Sequence, residues 1–220
     1  ALADVERFAA ARTSVAAPAG IPAVAAPRPA APPAAATMAE RAAQMRKVIA
    51  AAMARSKREI PHYYLAEDVP LAAATAWLAE RNAGRPITDR MLLAPLLLKA
   101  VATALGRYPE FNGYWRDDAF VPGEGIHLGV AISLRAGGLV TPALLDAGRK
   151  GIEQLNRELL DLVARTRAGR LTAAELSAGT ITVTSLGEQG VAAVYGVIYP
   201  PQVALVGFGR VAERPWAVDG

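Results

Sequence analysis

From Ser14 to Thr37 the chain is built almost entirely of Ala and Pro, with six of its 16 prolines in this stretch and no periodic apolar face. Such a segment reads as a semi-extended linker, because Pro withholds backbone donors and Ala offers little surface to bury. A fold must therefore be assembled from the residues C-terminal to it, giving a linker over 1–37 and a folded domain over 38–220. A secretory apolar region is the competing reading of the same stretch. Pro18, Pro22, Pro27 and Pro29 interrupt it, and a mixed-charge, helix-like piece from Ala1 to Thr13 precedes it.

A second stretch, Gly190 to Gly209, carries no charge over about the length of a membrane-spanning helix. Pro200-Pro201 and four glycines argue against a single helix there, while Val, Ile and Tyr fit two buried strands joined by a turn. With 53% hydrophobic and 20% charged residues the chain belongs among folded soluble proteins, and a cytoplasmic setting without a membrane partner is expected. The absence of Cys excludes a disulfide framework. Two His would leave a zinc site mostly to carboxylates, which structural zinc rarely uses, so no metal is expected. The net charge of +4 suits an anionic ligand without implying a nucleic-acid groove.

Helices and strands alternate from residue 38 on. Met45, Ile49 and Met53 mark the apolar side of a helix over Met38 to Arg58, which Pro61 ends. His62-Tyr63-Tyr64-Leu65 reads as a strand, Leu71 to Asn82 as a helix, and Leu96 to Leu105 as a helix headed by Pro95. Asn112 to Trp115, Ile126 to Leu134 and Leu139 to Leu144 read as strands, the last two joined in a hairpin across Arg135-Ala136-Gly137-Gly138. Ile152, Leu155, Leu159, Leu160 and Val163 trace one helical stripe, with Glu153 to Arg157 and Asp161 to Arg165 as acid-to-base pairs on its wet side. Thr180 to Ser185 and Gln202 to Val206 complete an α/β domain with a mixed sheet and flanking helices.

Several motifs invite a functional reading and a plainer one. Gly207-Phe208-Gly209-Arg210-Val211-Ala212 matches a dinucleotide fingerprint, yet Pro215 falls within the helix it requires and no acidic residue follows at the needed distance. Arg41, Arg46, Lys47, Arg55, Lys57 and Arg58 form an acid-free basic run on the first helix. A solvated face is the plainer account of it, a phosphate-bearing partner the sharper one; nucleic acid is less attractive without interleaved aromatics. His62 and His127 both sit on strand-like patterns and read as packing histidines. Without G-x-S-x-G or Cys, hydrolase chemistry of the serine or cysteine type has no support. Thr182 and Thr184 alternate with Ile181 and Val183 and deliver hydroxyls toward Gly187, where one of them could donate to a developing oxyanion.

Taken in order, Met45-Arg46-Lys47-Val48-Ile49-Ala50, Ser56-Lys57 with Ile60-Pro61-His62-Tyr63-Tyr64-Leu65, and Lys99-Ala100 with Tyr108-Pro109-Glu110-Phe111-Asn112 continue into Gly137-Gly138-Leu139-Val140-Thr141-Pro142, Thr182 to Gly187, and Pro200-Pro201-Gln202-Val203-Ala204-Leu205. This series resembles the catalytic domain of the dihydrolipoamide acyltransferases of 2-oxo acid dehydrogenase complexes, relatives of chloramphenicol acetyltransferase. The Ala/Pro stretch resembles that family's swinging linker, and Ala3 to Phe8 resembles the tail of its small subunit-binding domain. The resemblance implies transfer of an acyl group between dihydrolipoamide, carried on a separate lipoyl domain, and coenzyme A as substrate. It implies a homotrimer-based core assembled with the other subunits of such a complex. By motif position, Thr184 is the hydroxyl that stabilises the tetrahedral oxyanion.

The family's base is the His of an H-x-x-x-D-G motif, and this chain has none. Val218-Asp219-Gly220 has its last two letters, but Pro215 stands where the His would be. Asp219-Gly220 reads instead as a hairpin turn with no second strand after it. The expectation is a catalytic domain incomplete at its C-terminus, carrying the oxyanion half of the site and inactive alone; the alternative is a catalytically incompetent core or scaffold component.

Overall fold

The computed structural model describes residues 38–134 and 137–217. The expectations for 1–37, for Arg135-Ala136 and for Val218-Asp219-Gly220 lie outside the described residues.

Helix α1 spans Met38–Glu59. Glu40 in its first turn and Lys57 and Arg58 in its last complement the helix dipole, and Pro61 prevents its continuation. Helices α2 (Ala72–Asn82), α3 (Leu93–Arg107), α4 (Ile152–Arg167) and α5 (Ala173–Ser177) follow in chain order. Pro95 lies in the first turn of α3, where its missing N–H costs nothing.

Strands β3 (Leu128–Val130), β6 (Ala143–Leu144), β7 (Ile181–Ser185) and β8 (Leu205–Phe208) form one sheet in the order β6-β3-β7-β8. The β3/β6 pair is antiparallel, whereas β3/β7 and β7/β8 are parallel, so the sheet is mixed as the element pattern implied. Parallel neighbours need long crossovers. α4 and α5 supply the one between β3 and β7. The core lies between this sheet and α3 and α4: Leu98, Val101 and Leu105 meet Leu155, Leu159 and Leu162 over Leu128, Leu144, Ile181 and Val183.

The long strands read from the sequence are shorter and broken. Ile126 to Leu134 divides into β3 and β4 (Ile132–Ser133), and Leu139 to Leu144 into β5 (Leu139–Val140) and β6, because Pro142 at the second break cannot donate to a ladder. β4 and β5 do pair as an antiparallel hairpin, with Gly137 and Gly138 at φ +87° and +101° in the turn. His62 to Leu65 is not a strand: it lies along the surface with Tyr63 and Leu65 about four-fifths exposed. Only β8 forms in the uncharged run, and Val191 to Tyr199 lies against it without strand geometry. The hairpin of β1 (Gly113–Arg116) and β2 (Ala119–Pro122) had a missed signal in Asp117-Asp118, whose φ angles of +51° and +58° suit a two-residue turn that Asp tolerates.

On α4, Leu160 is exposed instead of joining the apolar stripe, and Glu153 pairs with Arg81 in the last turn of α2 and Arg85 just after it, not with Arg157. Asp161 does bond Arg165 at 2.7 Å. The same Arg165 forks onto Glu175 at 2.8 and 2.6 Å, and Glu175 closes a capping box on Thr172 at the start of α5. The Arg165 guanidinium and then the Thr172 N–H hold the Glu175 carboxyl down at about 2. The unfolded value is about 4.3, so the folded chain binds fewer protons and the linkage contribution is complete above that pH. It is lost as pH falls toward about 2. Glu175→Gln should therefore flatten the decline of stability across this acid window in denaturant titrations; parallel curves for variant and native protein would refute the assignment.

Candidate functional site

Thr180, Thr182 and Thr184 alternate along one side of β7 and its approach, while Ile181 and Val183 enter the core on the other. The three hydroxyls have different fates. Thr180, 1% exposed, donates to Asn112 Oδ1 at 2.6 Å and accepts the His127 N–H at 3.0 Å. Thr182, 4% exposed, donates to Gln202 Oε1 at 2.7 Å. Thr184 is half-buried and its hydroxyl bonds no described residue. The hydroxyl that motif position assigns to the oxyanion is thus the one left free to donate.

The strand around it is closely packed. Thr184 faces Gly207 across the β7/β8 ladder. A Cβ on Gly207 would stand 2.5 Å from Val194 Cγ1, and one on Gly209 would collide with the Ala192 carbonyl. These two glycines therefore allow the 192–196 segment to lie against β8. That is the physical meaning of the apparent dinucleotide fingerprint: no helix follows it among the described residues.

Neither histidine offers a base. His62 Nδ1 lies 2.8 Å from the Ile60 carbonyl and must donate, while Nε2 accepts the Ile198 N–H at 3.0 Å. His127 Nδ1 accepts the Asp146 N–H at 2.9 Å. In each ring the lone pair needed to remove a proton is occupied by a backbone donor. Buried Ser56 donates to the Ile198 carbonyl at 2.6 Å, so α1 and the turn after it hold both polar groups of that peptide position. This role for Ser56 was invisible in sequence, since its partner lies 142 residues away.

On α1, Arg46, Lys47 and Arg58 are exposed, Arg55 pairs with Glu59, and Lys57 touches the Tyr64 hydroxyl. The helix displays these charges to solvent, in line with the plainer reading. Among the described residues no three His, Asp or Glu side chains converge as a metal site, and no helix is long and apolar enough to cross a membrane.

Residues 34–220 match the family model of the 2-oxoacid dehydrogenases acyltransferase catalytic domain. The chain is 35% identical over 176 residues to the dihydrolipoyllysine-residue acetyltransferase component of the pyruvate dehydrogenase complex of Zymomonas mobilis, covering 80% of this chain and 40% of that protein. The chain thus spans well under half of that relative's length. Among solved structures, it resembles Azotobacter vinelandii dihydrolipoamide acetyltransferase with a TM-score of 0.73 at 26% identity, covering 78% of this chain and 72% of that one. That structure belongs to an investigation of a serine, a histidine and an asparagine in the catalytic mechanism. The cubic core of a pyruvate dehydrogenase multienzyme complex matches equally, with a TM-score of 0.73 at 25% identity over 79% of this chain and 72% of that one. The mixed sheet, the order of motifs and these likenesses agree: the chain belongs to the family of 2-oxoacid dehydrogenase acyltransferase catalytic domains.

Proposed function

We propose that this chain is the catalytic domain of an acyltransferase that moves an acyl group between dihydrolipoamide and coenzyme A within a 2-oxo acid dehydrogenase complex in the cytoplasm. The observation that carries the reading is the Thr184 hydroxyl, which has no hydrogen-bond partner among the described residues while the two preceding threonines are engaged. Attack of the coenzyme A sulfur on the acyl-lipoyl thioester places negative charge on the carbonyl oxygen. Thr184 donates to that oxygen, and collapse breaks the bond to the lipoyl sulfur as the carbonyl re-forms, the departing sulfur taking up the proton that the coenzyme A thiol gave up on attack. Both thiols arrive with the substrates, which accords with a chain lacking Cys.

The acyl donor is a lipoyl group on a separate domain, and the partners are the other subunits of the complex. The test is acyl transfer from acetyl-dihydrolipoamide to coenzyme A by the native assembly; absence of any coenzyme A thioester would leave a core component without catalysis. The engaged histidines favour that second reading for the chain taken alone.

A homotrimer is the building unit of the proposed core. Tyr63, Leu65, Val69, Tyr195 and Tyr199 leave apolar surface exposed, which a single copy does not bury. Sedimentation should show a trimer or a multiple of it, and a clean monomer at high concentration would count against this assembly.

A further inference from the structure

Resting on the acyl-transfer reading, we infer that Gln202 is a positioning residue that sets the β7/β8 register and so places the Thr184 hydroxyl. Gln202 is 7% exposed, and both ends of its amide are used. Oε1 accepts from the Thr182 hydroxyl at 2.7 Å, and Nε2 donates to the Gly179 carbonyl at 2.9 Å. One side chain therefore grips β7 at its entry and two residues before Thr184.

The base of this grip is itself held. The Gln202 N–H donates to the Tyr199 carbonyl at 2.9 Å, the Trp115 N–H donates to the neighbouring Pro201 carbonyl at 2.7 Å, and Gln202 forms a bridge with Tyr114. Three residues further on, Leu205 opens β8 opposite Thr182. The grip thus acts where the parallel pair begins. A slip of one residue in β7 would turn Thr184 to the core face, because side chains alternate sides with each residue. The Thr184 hydroxyl itself has no hydrogen-bond partner among the described residues to hold it against a smaller shift, so only the strand fixes its position. Donors act on an oxyanion only within about 2.7–3.1 Å, so the position inherited from the strand determines whether the hydroxyl is useful.

The test compares kcat and KM in the native assembly for Gln202→Glu and Gln202→Met, each alone and combined with Thr184→Val. As a carboxylate, the Glu side chain can still accept from Thr182 but cannot donate to the Gly179 carbonyl. Protonation at lower pH restores the missing donor. The expected result is a kcat about tenfold below native at neutral pH with the coenzyme A KM nearly unchanged. The ratio of variant to native kcat should climb as pH falls. Gln202→Met keeps the volume without either polar end, and should lose kcat with no such recovery. In the Thr184→Val background neither change should add a full further loss, since there is no donor left to place.

A Gln202→Glu ratio that stays flat with pH, or a loss fully additive with that of Thr184→Val, overturns the positioning role alone. Loss of folding in both variants, read by circular dichroism, makes Gln202 a folding residue and overturns it too. A silent Thr184→Val removes Thr184 as the oxyanion donor, and the positioning role of Gln202 with it.

Discussion

Thr184→Val in the native assembly is expected to lower turnover about 10²- to 10³-fold while leaving the affinity for coenzyme A nearly unchanged. Thr and Val are close in shape, and both favour a strand, so the β7 ladder to β3 and β8 should persist. On the proposed role, what disappears is a donor aimed at charge that develops only in the transition state, and such a loss appears in kcat instead of ground-state binding. Thr184→Ser retains the donor and should keep much of the activity.

The neighbouring threonines should respond differently, because their hydroxyls are engaged by the fold. Thr182→Val would leave the buried Gln202 Oε1 without its hydroxyl donor. Its direct expected cost is stability, about 1–3 kcal/mol, readable by chemical denaturation. Thr180→Val would likewise strip the partner of Asn112 Oδ1. Full turnover in Thr184→Val alongside a large loss in Ser185→Ala would move the donor one residue along β7. Silence at all of these positions would reduce the strand to well-packed structure.

The 220-residue chain assayed by itself is expected to transfer acyl groups about 10²- to 10⁴-fold more slowly than an enzyme of this family with its base in place. The sequence lacks H-x-x-x-D-G, and the structure adds a physical reason not to seek a substitute in its two histidines. His62 would have to release the Ile198 N–H, and His127 the Asp146 N–H, before either ring nitrogen could take a proton from a thiol. Steady-state release of the free dihydrolipoyl thiol, followed alongside coenzyme A thioester formation, measures this directly. Turnover matching a complete enzyme would show that one of these rings or another group serves as base.

Much of this protein is set by local pattern. Four-residue spacing of Met45, Ile49 and Met53 and a nearby proline determine α1 within a residue at its end, because helix periodicity and the missing proline donor are properties of the chain itself. The Thr-Ile-Thr-Val-Thr alternation likewise determines that hydroxyls and hydrocarbons part to opposite faces of β7. The order of motifs was enough to indicate the family.

Which threonine is available was decided only in three dimensions. Thr180, Thr182 and Thr184 are alike in sequence, but Asn112 and Gln202 come from distant parts of the chain to occupy the first two. Gly207 and Gly209 present a phosphate-loop pattern in one dimension and a packing surface for Val194 and Ala192 in the folded chain. The strand expected at His62 to Leu65 did not form, since β propensity needs a ladder partner and none is supplied there among the described residues. Sequence thus determined what each segment is able to form; long-range hydrogen bonds and close backbone approach, whose partners lie many residues apart, decided which groups were consumed by the fold and which remained free to act.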